Sequence, residues 1–162
     1  MGKPIIRYRK SDLYTQVVDE YGVFNSSYDF LIFLAVVGYR EDRINRNNYR
    51  GDRDAGTVGE IGLQNVFSND LYRVIMSSLA FQEENDPAAL VETSTQMKVL
   101  AQYAAGGLDF AEEEFGDIAG DPTDAILNYI RTKQQEDDEV GGELGEIVDA
   151  FDDEMMETDS DV

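Results

Sequence analysis

Cysteine and histidine are both absent from the chain. Without cysteine there are no disulfides, no thiolate metal sites and no cysteine nucleophile. Without histidine the commonest general base and the commonest metal ligand are gone. Phosphate-binding loops of the G-x-x-x-x-G-K-[ST] and G-x-G-x-x-G kinds are missing as well. Asp52-Arg53-Asp54-Ala55-Gly56 and Asp137-Asp138-Glu139 begin like calcium loops, but neither combines glycine at the sixth position with glutamate at the twelfth. Carboxylates are so abundant that no pair stands out as a magnesium site. Lys3, Lys10, Lys98 and Lys133 fall in no nuclease-like pattern. No catalytic residue, metal ligand, cofactor or small-molecule substrate is expected, and the chain reads as a non-enzyme. Met1-Gly2-Lys3-Pro4 leads into no apolar leader, and no apolar run is long enough to span a bilayer. A cytoplasmic protein without membrane contact is expected.

What is present is led by Phe30-Leu31-Ile32-Phe33-Leu34-Ala35-Val36-Val37, an uninterrupted apolar run. Ser26 and Asp29 before it form an S-x-x-D helix-start signal. Gly38 after it suits the left-handed position just past a helix end. A helix apolar on all sides has to be buried on all sides, so this is expected to be the central core helix, with Phe33 fully buried. A buried strand is the alternative, because Ile, Val and Phe are common in both.

The rest of the chain is organised around that run. Pro4 to Arg9 is a short strand or an extended arm. Ser11 caps a helix to about Tyr21, with Leu13, Val17 and Tyr21 at helical spacing, and Gly22 ends it. Residues 12–38 thus have a helix–turn–helix outline. Phe30 to Val37 offers no polar side chain to base edges, so two packed core helices are expected rather than a DNA reader. Residues 40–58 read as a long exposed loop. Ile61, Leu63, Val66 and Phe67 follow as a strand or an irregular apolar plug. Ser68 or Asn69 caps a helix over 70–82, with Leu71, Val74, Ile75 and Leu79 on one face. Asp86-Pro87 starts a helix to about Ala105, with Leu90, Met97, Leu100, Ala101 and Ala104 inward. Gly106-Gly107 stops it, and Asp121-Pro122 starts another to about Lys133.

The expected fold class is all-α: a single helical domain over residues 1–135, with about five helices around the buried central one. An acidic tail, 136–162, holds thirteen acidic residues and no basic ones. Its Leu144, Ile147, Val148, Phe151 and Met155 fall at helical spacing, which reads as a marginal amphipathic helix for docking on the protein or a partner. The bland alternative is a solubilising tail.

The net charge is −21. It fits a salt-adapted, halophilic protein of archaeal type, an acidic mimic of DNA that inhibits DNA-binding proteins, or simply an acidic mesophilic protein. The charge is uneven: residues 1–54 hold nine basic and eight acidic residues, whereas 55–162 hold four basic and 26 acidic. Arg40, Arg43, Arg46, Arg50 and Arg53 cluster in the first part. They read either as a stripe that contacts nucleic acid or a partner, or as a solvated loop paired with Glu41, Asp42, Asp52 and Asp54. Five phosphate contacts give a log–log salt slope of roughly −4.5, so going from about 0.1 M to about 2 M salt costs roughly six decades of affinity. In a salt-rich cell such a stripe has to rely on bidentate or stacked arginines and apolar contacts.

The order of Gly22-Val23-Phe24, the apolar run ending at Gly38-Tyr39, a basic loop, Val66-Phe67, a helix from Asp70 to Ala80 and Ala101-Gln102-Tyr103-Ala104-Ala105-Gly106-Gly107-Leu108 resembles a family. It is similar to the small Dnd-system-associated proteins, encoded beside phosphorothioate DNA-modification genes. Gln102 stands where that pattern has an acidic residue. The resemblance covers about residues 12–110. It implies a non-enzymatic accessory component of a phosphorothioate-linked restriction-modification or antiviral defence system. Such a component would act through contacts with other proteins of the system, with DNA, or with both, and the resemblance implies no catalytic residue. A stand-alone DNA-binding regulator using the Arg40–Arg53 loop and an acidic DNA-mimic inhibitor are the alternatives.

Self-repulsion among 34 acidic residues against 13 basic ones destabilises the compact state at low ionic strength. The melting temperature is expected to rise between dilute buffer and about 2 M KCl, where the Debye length is a few Å. A flat or falling melting curve removes the salt-adapted reading.

Overall fold

The computed structural model describes residues 4–116 and 121–136. The chain divides into two units, Met1–Thr123 and Asp124–Val162. The first opens with strand β1 (Ile5–Arg9). A short helix α1 (Asp12–Tyr14) runs straight into a π-helical turn, Thr15–Glu20. Helix α2 (Ser27–Arg40) follows, then strand β2 (Val58–Gly62) and helices α3 (Leu63–Phe67) and α4 (Asp70–Glu84). A 3₁₀ turn, Pro87–Leu90, precedes the longest element, α5 (Thr93–Phe115). A further helix, α6, spans 123–136. The architecture is mostly helical. Its one sheet among the described residues pairs β1 and β2 antiparallel, from Ile5 against Gly62 to Arg9 against Val58. The segment from Pro4 to Arg9 therefore resolves as a strand from Ile5, and Ile61 lies in β2, but Leu63, Val66 and Phe67, expected as strand or irregular plug, form the short helix α3 instead.

The helix starts follow local hydrogen bonding. Ser11 Oγ accepts from Leu13 N, Ser26 Oγ from Asp29 N at 3.2 Å and Asn69 Oδ1 from Tyr72 N at 3.2 Å. Each satisfies a backbone donor that the first turn leaves open. Ser26 also donates to the Asp29 carboxylate at 2.9 Å, and Tyr72 donates to the same carboxylate, joining α4 to the head of α2. Gly22, at φ +61°, ends the first helical segment in the left-handed region.

The expected helix ends are corrected where glycine was read as a stop. Gly38 lies inside α2, and Gly106 and Gly107 lie inside α5. A Cβ on Gly107 would collide with the Leu34 carbonyl, one on Gly38 with the Tyr103 carbonyl, and one on Gly106 with the Arg43 carbonyl. These glycines serve a close crossing of α2 on α5 and the seating of the chain just after α2. The left-handed residue that ends α2 is Asp42, at φ 54°. Arg43 N donates to Gly38 O at 2.7 Å and Asp42 N to Tyr39 O at 3.3 Å, the two bonds of a Schellman closure. The helix expected over 87–105 is likewise two elements: Asp86-Pro87 starts only the 3₁₀ turn, and α5 begins after it.

The core lies where α2 meets α5. Leu31, Leu34 and Ala35 are fully buried from one side, and Val99, Leu100, Ala104 and Leu108 from the other. Phe30 is 1% exposed, between the rings of Tyr14 and Phe24 at 4.8 and 5.0 Å. Phe33, expected to be fully buried, is only half-buried. The α4 face is also corrected: Leu79, Met76 and Ala80 are buried, whereas Leu71 and Val74 are 63% and 59% exposed. Leu90, expected inward, is 48% exposed.

Two substitutions test this core. Phe30→Ala is expected to cost about 3–5 kcal/mol, with Phe33→Ala costing clearly less. Gly107→Ala, a single methyl, is expected to cost about 3 kcal/mol or more, because backbone rather than a movable side chain stands in its way. Urea unfolding measures all three. A Gly107→Ala protein as stable as its parent refutes the close crossing.

Candidate functional site

Residues 41–57 join α2 to β2 and carry most of the arginine cluster. Sequence reading treats them as a long exposed loop, and the chain there is fastened at several points. Asn45 N donates to Gln102 O on α5 at 3.0 Å, Arg9 N to Tyr49 O at 2.9 Å and Lys10 N to Thr57 O at 2.8 Å. Asn45 Nδ2 donates to Asp109 Oδ2 at 3.1 Å, while its Oδ1 accepts from Asn47 N and Asn48 N at 3.1 and 2.9 Å. Asp109 also pairs with Arg9 of β1, whose guanidinium donates to the Ala105 carbonyl at 3.0 Å. Strand, loop and helix therefore meet on one carboxylate.

The five arginines are put to different uses. Arg43 forms a two-pronged pair with Glu113 of α5, at 3.2 and 2.7 Å. Chiefly through that hydrogen bond, Glu113 is held below the usual carboxylate range. Arg46 grips Glu83 of α4 through Nε at 3.0 Å and through Nη2. The other oxygen of Glu83 accepts from Tyr103 Oη at 3.1 Å. Arg40 is exposed on the last turn of α2. The Arg50 guanidinium lies over the Tyr49 ring, 5.2 Å from its centroid. Arg53 is exposed in a turn closed by Gly56 N donating to Arg53 O at 3.1 Å. The hydrogen-bonded carboxylates of Arg43 and Arg46 thus come from distant helices. Sequence spacing misses Glu83, Asp109 and Glu113, which are three among many acids. The tail residues Leu144, Ile147, Val148, Phe151 and Met155 lie outside the described residues.

A second feature lies on the exposed faces of α3, α4 and the 3₁₀ turn. Phe67, Val74, Leu90 and Val91 line a groove of about 390 Å³ together with polar residues that include Asp70 and Arg73. Val91 is 81% exposed, and Leu71, one helical turn from Val74, is 63% exposed. The Arg73 guanidinium sits 5.7 Å from the Phe67 ring centroid. Among the described residues, no group of three or more acidic side chains is placed to hold a metal ion. No described helix is long and apolar enough to cross a membrane.

Residues 7–147 match the family described as DNA sulphur modification system-associated protein 4. The chain belongs to this family. The match extends on both sides of the stretch 12–110 that carries the sequence resemblance, taking in most of β1 and the acidic segment as far as Ile147. It therefore spans both the arginine-bearing loop and the carboxylates that hold it. No curated protein and no solved structure matches the chain.

Tyr103 and Tyr72 titrate abnormally in this family member. Both are pushed up from 10.0 to about 12, first by burial and then by a hydrogen bond to a carboxylate, Glu83 or Asp29. A raised phenol pKa means that folding favours the neutral form. The resulting stability is complete below pH 10 and is lost as pH rises from 10 towards 12. Urea titrations at pH 9, 10 and 11 are expected to show stability falling above pH 10, with a shallower fall in Tyr103→Phe. An identical fall in that variant refutes the assignment.

Proposed function

We propose that the protein is a non-enzymatic accessory component of a DNA sulphur modification system, working by contact with other proteins of that system. The family match supplies the system. The mode of action rests on one observation, the exposed apolar set of Phe67, Leu71, Val74, Leu90 and Val91. In a chain of net charge −21, such a grouped apolar patch favours a protein-contact surface. The pairs Arg9–Asp109, Arg43–Glu113 and Arg46–Glu83 support a non-catalytic reading, since they engage these charges in holding the loop. The same pairs lend less support to a stand-alone regulator that presents the whole Arg40–Arg53 loop to phosphates.

Co-expression with the sulphur modification proteins, followed by affinity capture in molar salt, tests this reading. The parent is expected to co-purify with one of those proteins. A Leu71→Asp, Val74→Asp double variant should lose it while keeping its melting temperature, because both side chains are exposed. Retention of the partner by the double variant, or no co-purification by the parent, overturns the proposal.

A further inference from the structure

Acidic residues outnumber basic ones by 34 to 13, yet one groove on the described surface is lined by three cations and no carboxylate. Its volume is about 400 Å³, within the range of small-ligand sites. Arg7 of β1, Arg50 of the loop and Lys98 of α5 supply the charge. Tyr49, Ile5 and Met97 supply an aromatic and apolar wall. Two further grooves do hold carboxylates, Asp70 in one and Asp19 with Glu60 in the other.

The groove is built from parts already fastened. Met97 and Lys98 lie next to each other on α5 and, with Ala101, share the helix face that forms one wall. The bond from Arg9 N to Tyr49 O ties the tyrosine to β1, two residues from Arg7. Beyond Arg50 the chain turns at Gly51, φ +76°, and is closed by Thr57 N donating to Asp52 O at 3.0 Å. The Arg50 guanidinium lies over the Tyr49 ring and is the group a ligand's aromatic ring would displace from it. Arg7 pairs with its cross-strand neighbour Glu60 at 3.4 Å and Lys98 with Glu84 at 3.8 Å, both long contacts, and the two cationic side chains are 55% and 44% exposed. Neither of those carboxylates lines the groove, so both cations can turn to a ligand.

We propose that this groove binds one unstacked nucleotide of a single-stranded nucleic acid. The phosphate lies among Arg7, Arg50 and Lys98, where guanidinium forks and an ammonium meet its acceptor oxygens. The base lies against Tyr49, with Ile5 and Met97 beside it, and such stacking tolerates any base. In a duplex the base faces are covered, so the aromatic wall selects single strands. The protein's overall negative charge repels a polyanion at long range, but at about 0.1 M salt that repulsion is screened beyond about 10 Å, while contact pairs persist. This binding is separate from the apolar patch of α4 and stands or falls without it.

The test is fluorescence anisotropy of the full chain with a short labelled oligodeoxythymidylate at about 0.1 M salt. The parent is expected to bind. The Arg7→Gln, Arg50→Gln, Lys98→Gln variant is expected to lose binding, and single changes to flatten the salt slope by about 0.7 each. Tyr49→Ala is expected to weaken binding roughly tenfold without changing that slope. Arg73→Gln, on α4 and outside the groove, is expected to change neither. Competition on the parent needs no variant to fold: unlabelled oligonucleotide should displace the probe far better than the same phosphate as free thymidylate or the same charge as polyglutamate. Failure of the parent to bind, or parent-like binding by the triple variant, overturns the site. Equal displacement by thymidylate overturns the strand in favour of a free nucleotide, and equal displacement by polyglutamate overturns the nucleotide. Duplex binding as tight as single-strand binding, and indifferent to Tyr49→Ala, overturns the stacked base.

Discussion

Helices α2 and α5 meet backbone to backbone, and much of the molecule is placed by that contact. Gly107 lies against the Leu34 carbonyl and Gly38 against the Tyr103 carbonyl. Glycine inside a helix costs about 1 kcal/mol relative to alanine. Here the close crossing buries Leu31, Leu34, Val99, Leu100 and Leu108, and that burial offsets the cost. Gly106 extends the contact one residue further, so that the Arg43 carbonyl rests on α5. The exit from α2 is therefore set by the same crossing that forms the core.

That exit decides what the arginines can reach. Once the Schellman closure at Asp42 points Arg43 along α5, Glu113 is within reach, and the bond from Asn45 N to Gln102 O carries Arg46 to Glu83. The exposed ion pairs are open to screening by salt. The backbone bonds and the shared carboxylate of Asp109 are less so, because they are short-ranged and partly buried. A loop rich in polar residues is thus held chiefly by hydrogen bonds that survive in concentrated salt. Three cations outside this arrangement, Arg7, Arg50 and Lys98, line one groove instead, where the pairs made by Arg7 and Lys98 are long.

Much of the local structure was legible in the residues. Ser11, Ser26, Asn69, Asp86 and Asp121 all start helical turns through their own side chains. Capping acts over two or three residues and needs nothing from the rest of the chain. The apolar run from Phe30 to Val37 announced the core helix for the same reason. The candidate site was only half legible. The arginines could be seen as a cluster, but their partners sit 37 and 70 positions away for Arg46 and Arg43. Arg7 and Lys98, far apart in sequence, gave no sign that they share a groove with Arg50.

The sequence by itself determined where α1, α2, α4 and α6 begin, that helices form most of the fold and which family the chain resembles. These follow from short-range hydrogen bonding, apolar content and the order of motifs. Only the tertiary structure decided what the glycines do, because a residue without a side chain suits a helix end and a helix crossing equally well until a second helix arrives. It also decided which apolar stripe is core. Leu71 and Val74 have the spacing of buried residues, yet α4 turns Met76 and Ala80 inward instead. Periodicity defines a face, and only the packing of α4 against α5 chooses which face is covered.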